Sequence, residues 1–100
     1  MTDQNVVILG HARTPIGDLL GCFANTPAPE LGAAVIREAL RRSHVDPKDI
    51  EEVIMGCVLP AGLGQAPARQ ASLLAGVSTS AGATTVNKMC GSGMKAMMQG

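Results

Sequence analysis

The spacing of apolar positions changes several times along the 100-residue chain. Residues 5–10, NVVILG, form a β-branched run that closes on a glycine, the pattern of a buried strand. HARTPIGDLLGCFANTPAP follows, punctuated by Pro15, Gly17, Gly21, Pro27 and Pro29, and reads as a long irregular loop. A loop of that length inside a compact domain is more often binding or interface structure than decoration. From Glu30 the period becomes helical. Leu31, Ala34, Val35, Ala39 and Leu40 recur on one side, while Arg37, Glu38, Arg41 and Arg42 fall largely elsewhere. An acidic residue in the first turn and arginines in the last also suit the helix dipole. VDPKD then reads as a capped turn, with Asp46 as N-cap and Pro47 at N1.

IEEVIMGCVL predicts a second strand centred on Val53 to Cys57. The glycine-rich PAGLGQAPARQ leads into a helix over residues 67–75, closed by Gly76. STSAGA is a loop, and TTVNKM predicts a third strand by its β-branched content, weakened by Asn87. Cys90 stands at the end of that strand, and a last helix opens immediately after it. Strand and helix thus alternate three times, which implies an α/β layered fold with a largely parallel sheet. The chain shows no internal repeat.

Composition narrows the picture. Apolar residues make up 46% of the chain, but Phe23 is its one aromatic residue. The core must be built from Ala, Val, Leu, Ile and Met around many glycines, which favours layered helices and strands over an all-β sandwich. The length suits one small domain. Eight basic and eight acidic residues cancel and are scattered, so no basic face for nucleic acid is visible. No apolar run approaches membrane-spanning length. MTDQNVVILG has neither signal-peptide nor transit-peptide features, so a cytoplasmic protein is expected. Cys22, Cys57 and Cys90 are odd in number and widely spaced, unlike a disulfide framework. His11 and His44 make no metal-ligand spacing with them. For Cys22 and Cys57 the expectation is a buried free thiol.

Cys90 has neighbours that a core-filling cysteine does not need. At the end of a parallel strand feeding a helix, it falls at the edge of the sheet where open α/β folds place ligands. Backbone N–H groups of the first helical turn, with the helix dipole, favour a thiolate there. Gly91 and Gly93 remove the β-carbons that would crowd the sulfur. The same amides could hold an oxyanion developing on a substrate carbonyl. Spacing alone leaves a second reading open, a small hydrophobe at a tight turn. Behind it, Met94, Ala96, Met97 and Met98 leave almost no polar face, and the chain holds too little material to surround such a helix. Residues 91–96, GSGMKA, also fit the G-x-G-x-x-A of dinucleotide-binding loops, so a non-catalytic module binding a nucleotide or a partner chain is the alternative. That fingerprint does not account for Cys90.

NKMCGSGMKA resembles the motif around the acyl-accepting cysteine of thiolases, the acetyl-CoA acetyltransferases. ARTPIG (12–17), PAPELGAAVIREAL (27–40) and GQAPARQASLLAG (64–76) resemble other segments of that family, in the same order. The resemblance implies two similar α/β halves layered αβαβα, of which residues 1–100 would be part of the N-terminal domain. It implies acetyl transfer between coenzyme A and acyl-CoA: thiolysis of acetoacetyl-CoA or another 3-ketoacyl-CoA, or condensation of two acetyl-CoA. Cys90 would carry the acyl group as a thioester, with its own N–H as part of an oxyanion hole. No cofactor is implied, coenzyme A thioesters being the substrates, and the full-length family forms dimers and tetramers.

Thiolases are several times longer than this chain, and their activating histidine, second catalytic cysteine and most coenzyme A contacts match nothing here. The isolated 100 residues are therefore expected to be inactive. His11 reads as a loop residue and His44 as a partner of a helix C-terminus. Arg13 could meet a coenzyme A phosphate or hold the long loop through an ion pair. Gln65 and Arg69 suit either a subunit interface or a solvated loop edge. Lys88 and Lys95 flank the cysteine, with Lys88 read as an exposed charge at the strand end.

Overall fold

The computed structural model describes residues 4–100. In chain order it comprises α1 (Ala28–Ser43), a 3₁₀ turn (Pro47–Asp49), β1 (Glu52–Gly56), α2 (Pro67–Leu74), β2 (Gly82–Val86) and α3 (Ser92–Gln99). β1 and β2 pair in parallel, from Glu52 opposite Gly82 to Gly56 opposite Val86. A parallel pair needs a crossover, and α2 supplies it. This is the expected α/β arrangement. α2 and α3 each pack on both strands, and α1 packs on α2.

Side chains alternate between the two faces of β1. Val53 and Met55 join Ala33, Ile36, Leu40, Ala75, Val77 and Ala81 in the core beneath α1 and α2. Gly56 turns the other way, against the first turn of α3. The core is made of alanine and valine, as the shortage of aromatics requires. Small residues let the α1 and α2 backbones approach closely, with Gly32 facing Ala71.

Local sequence explains most of the boundaries. α1 begins at Ala28, two residues before the expected Glu30, because Pro29 suits a first turn whose N–H groups have no acceptor. It ends at His44, which adopts φ 56 while the Val45 N–H reaches back to the Leu40 carbonyl at 3.2 Å. α2 closes in the same manner. Gly76, at φ 85, donates to the Leu73 carbonyl, and the Val77 N–H donates to that of Ser72, both at 3.1 Å. Asp46 caps its turn as expected, its Oδ1 accepting the Lys48 N–H at 2.9 Å. The start of α2 is capped from outside the helix. Ala66 offers no side-chain cap, and the Ala68 N–H donates to Thr85 Oγ1 of β2 at 3.0 Å.

Two strand expectations are corrected. Residues 5–10 form no strand: among the described residues they have no ladder partner, and Val6 is 93% and Ile8 73% exposed. An apolar run becomes a strand only where a neighbour accepts its backbone bonds, and β1 is paired on β2 alone among the described residues. What holds this end is Arg42 Nη1, donating to the His11 carbonyl at 2.9 Å. The third strand lies earlier than expected, at Gly82–Val86, and stops four residues before Cys90. Asn87 ends it, its side chain donating to the Val58 carbonyl at 3.3 Å and accepting the Met89 N–H at 3.0 Å.

Replacing Thr85 with Val keeps the shape but leaves the buried Ala68 N–H without an acceptor. A loss of about 1–3 kcal/mol is expected in denaturant unfolding, with Thr85→Ser retaining most of the stability. On α1, the Glu38 carboxylate binds Arg41 at 2.6 Å and Arg42 at 2.8 Å. Hydrogen bonds from Arg41, then Arg42, lower its pKa from 4.5 to about 2. A lowered carboxylate pKa contributes stability that is present above the unfolded value and is lost as pH falls from 4.5 through about 2. Acid titration by circular dichroism should show this component in the parent and not in Glu38→Gln, and added salt should shrink it.

Candidate functional site

Between the end of β2 and the start of α3, residues 87–91 fold into a tight turn with Cys90 near its head. Met89 adopts φ 47, a left-handed conformation that costs a non-glycine residue about 1–2 kcal/mol. The turn is held by several hydrogen bonds. The Gly91 N–H donates to the Lys88 carbonyl at 2.9 Å, and the Ser92 N–H to that of Met89 at 3.1 Å. Ser92 Oγ accepts the Lys88 N–H at 2.8 Å and donates to the Met89 carbonyl at 2.6 Å. Ser92 itself is only 4% exposed.

Cys90 is exposed, so its sulfur is open to approach. Among the described residues its side chain and its backbone N–H make no hydrogen bond. One part of the expected electrostatics changes. The amides of Gly91 and Ser92 do not point unpaired at the sulfur, being used by the Lys88 and Met89 carbonyls. The first-turn amides of Gly93 and Met94 make no such backbone bond. The same two occupied amides bear on the G-x-G-x-x-A pattern, since a phosphate would have to displace their carbonyl partners.

α3 is placed by a close approach. A Cβ at Gly56 would stand 2.5 Å from the Ser92 carbonyl carbon and 2.7 Å from the Gly93 nitrogen. Only glycine lets the end of β1 touch the first turn of α3. On that side of the sheet lies a groove of about 660 Å³, lined by Glu52, Ile54, Gly56, Gly93, Ala96 and Met97. The outer face of α3 is bare, with Met94 and Met98 both 72% exposed. This matches the expectation that the chain cannot surround an apolar helix.

The other singled-out residues do not converge on Cys90. Cys22 is exposed and Cys57 half-buried, which corrects the expectation of two buried thiols; Cys57 lines a cavity of about 50 Å³ between α1 and α2. His11 and Arg13 are exposed, and the ion pairs among the described residues, both on Glu38, do not include Arg13. His44 closes α1. Arg69 is not a free loop edge. Its guanidinium donates to the Ala81 carbonyl at 2.7 Å and that of Thr79 at 3.1 Å, tying the loop before β2 to α2. Gln65 is exposed, and its carbonyl, like that of Leu63, accepts from Gln70 Nε2 at 2.6 Å. Lys88 is exposed, as expected of a strand-end charge, and Lys95 is half-buried. Among the described residues no group of three His, Cys, Asp or Glu side chains could hold a metal ion, and no helix is long and apolar enough to cross a membrane. Sequence reasoning missed Ser92, whose hydroxyl braces its own turn, and Thr85, whose hydroxyl reaches from β2 to α2.

Residues 6–100 match the family model for the thiolase N-terminal domain. Acetyl-CoA acetyltransferase of Cupriavidus necator is 56% identical over 98 residues, 98% of this chain and 24% of that protein. Acetyl-CoA acetyltransferase 2 of Arabidopsis thaliana is 55% identical over 95 residues, 95% of this chain and 24% of its own length. The mitochondrial acetyl-CoA acetyltransferase of Mus musculus is 50% identical over 97 residues, covering 23% of that protein. The chain thus spans about a quarter of the length of these relatives. Among solved structures, the Acat5 thiolase of Ascaris suum in complex with coenzyme A superposes with a TM-score of 0.90 at 42% identity, over 92% of this chain and 24% of that one. The fold is thiolase-like, and the chain belongs to the thiolase family.

Proposed function

We propose that this segment supplies the nucleophile of a thiolase-type acyl transfer, with Cys90 as the acyl-accepting residue. In thiolysis the Cys90 sulfur attacks the 3-keto carbonyl of a 3-ketoacyl-CoA such as acetoacetyl-CoA. The bond between C2 and C3 breaks, the acyl group stays on Sγ as a thioester, and the C2 carbon takes a proton and leaves as acetyl-CoA. Coenzyme A thiol then attacks the thioester, acyl-CoA departs, and the proton returns to the cysteine. Run backwards from two acetyl-CoA, the same steps make acetoacetyl-CoA. A covalent intermediate divides one difficult exchange into two easier ones.

The observation that carries this reading is the placement of Cys90. It is the exposed thiol at the junction of a parallel strand and a helix, in a chain whose relatives are acetyl-CoA acetyltransferases. The free Cys90 N–H is a suitable donor to an oxyanion on the attacked carbonyl. Among the described residues neither His11 nor His44 is hydrogen-bonded to the sulfur, and the chain spans about a quarter of its relatives' length. This supports the reading that proton transfer needs groups from outside these 100 residues, which alone would turn over no substrate. The full-length form acts as a homo-oligomer on coenzyme A thioesters.

Incubating the full-length protein with acetyl-CoA and mapping the modified peptide should place the acetyl group on Cys90. Cys90→Ala should abolish the adduct and lower thiolysis of acetoacetyl-CoA by at least about 10³-fold. Acetylation of Cys22 or Cys57 instead, or unchanged turnover in Cys90→Ala, would sink the reading.

A further inference from the structure

We propose that Ser92 is a positioning residue for Cys90: its buried hydroxyl clamps the Lys88–Met89 turn and so fixes where the sulfur and its neighbouring amide stand. The inference rests on the reading of Cys90 as the acyl acceptor.

Four observations lead there. Ser92 Oγ spans the turn, accepting the Lys88 N–H at 2.8 Å and donating to the Met89 carbonyl at 2.6 Å. The hydroxyl is thereby satisfied as both donor and acceptor, which a residue 4% exposed requires. Met89 sits at φ 47, yet its own side chain is 68% exposed and does nothing to hold that conformation. Strained backbone persists only where its surroundings over-determine it, and the Ser92 bonds on either side of the Met89 peptide do so. Finally, none of the turn's hydrogen bonds uses the Cys90 N–H or sulfur. The clamp fixes Cys90 from both sides without engaging its reacting atoms.

From the strand side, Gly56 completes the seat. A Cβ there would press on the Ser92 carbonyl carbon at 2.5 Å. Ser92 is thus held between β1 and the turn that it braces. A displacement of about 1 Å at a reacting atom can cost on the order of 10²-fold in rate, so loosening this clamp should be visible in chemistry more than in binding.

The test uses the full-length enzyme and three variants: Ser92→Ala, Ser92→Thr and Gly56→Ala. Steady-state thiolysis gives kcat and KM, and iodoacetamide labelling with peptide mapping gives the rate at Cys90 relative to Cys22. Ser92→Ala is expected to lower kcat about 10- to 100-fold with KM little changed, and to change the Cys90-to-Cys22 labelling ratio. Ser92→Thr, which keeps the hydroxyl, should recover most of kcat. Gly56→Ala, which keeps the hydroxyl but pushes on its backbone, should shift the same ratio. Wild-type kcat and ratio in Ser92→Ala would overturn the proposal. So would parallel changes at Cys90 and Cys22 in Ser92→Ala, the mark of general loosening, or an unshifted ratio in Gly56→Ala. Unchanged turnover in the Cys90→Ala enzyme described above would instead overturn the acyl-acceptor reading, while the labelling ratio in Ser92→Ala would still report on Ser92.

Discussion

The site depends on one close approach, that of Gly56 at the end of β1 to the Ser92–Gly93 backbone at the start of α3. No side chain separates them, so the helix begins as near the sheet as two backbones allow. That depth decides how many residues join β2 to α3. Asn87 ends the strand, Met89 reverses the chain through a left-handed conformation, and Cys90 emerges exposed before the helix starts. A Cβ on Gly56 would lift α3, and the turn would have to be rebuilt. The position of Cys90 is thus set by backbone proximity on one side and by the turn that the Ser92 hydroxyl bridges on the other.

The rest of the fold supports that junction with small residues. Alanines and valines let α1, α2 and the sheet pack closely, and three side chains reach across elements to lock them. Thr85 caps α2 from β2, Arg69 ties the loop before β2 to α2, and Arg37 Nη1 donates to the Leu74 carbonyl at 2.9 Å, joining α1 to the end of α2. Each replaces a cap or loop contact that local sequence does not provide. The apolar faces outside this packing, on α3 and residues 6–9, stay exposed in a chain that spans about a quarter of its relatives.

What could be read from the sequence was what local chemistry decides. Asp46 and Pro47 announce their turn, Gly76 closes α2, and the 3.6-residue period of Leu31 to Leu40 marks α1. The position of Cys90 between strand and helix was legible for the same reason. Pairing is different. NVVILG has the composition of a strand, but a ladder partner lies outside any local pattern, and among the described residues this run has none. β2 lies earlier than its β-branched content predicts because Thr84, Thr85 and Val86 continue into residues whose backbone serves a turn. Ser92 went unread as a brace, since a hydroxyl bonding backward over four residues leaves only the G-S-G context as a trace.

The most direct measurement is a crystal structure of the full-length protein after exposure to acetyl-CoA. Density for an acetyl group on Cys90 Sγ is expected, with Met89 still at positive φ and Ser92 Oγ still bridging the Lys88 N–H and the Met89 carbonyl. An unmodified Cys90 beside an acetyl group elsewhere, or a Met89 relaxed to ordinary φ with the Ser92 bridge broken, would contradict it.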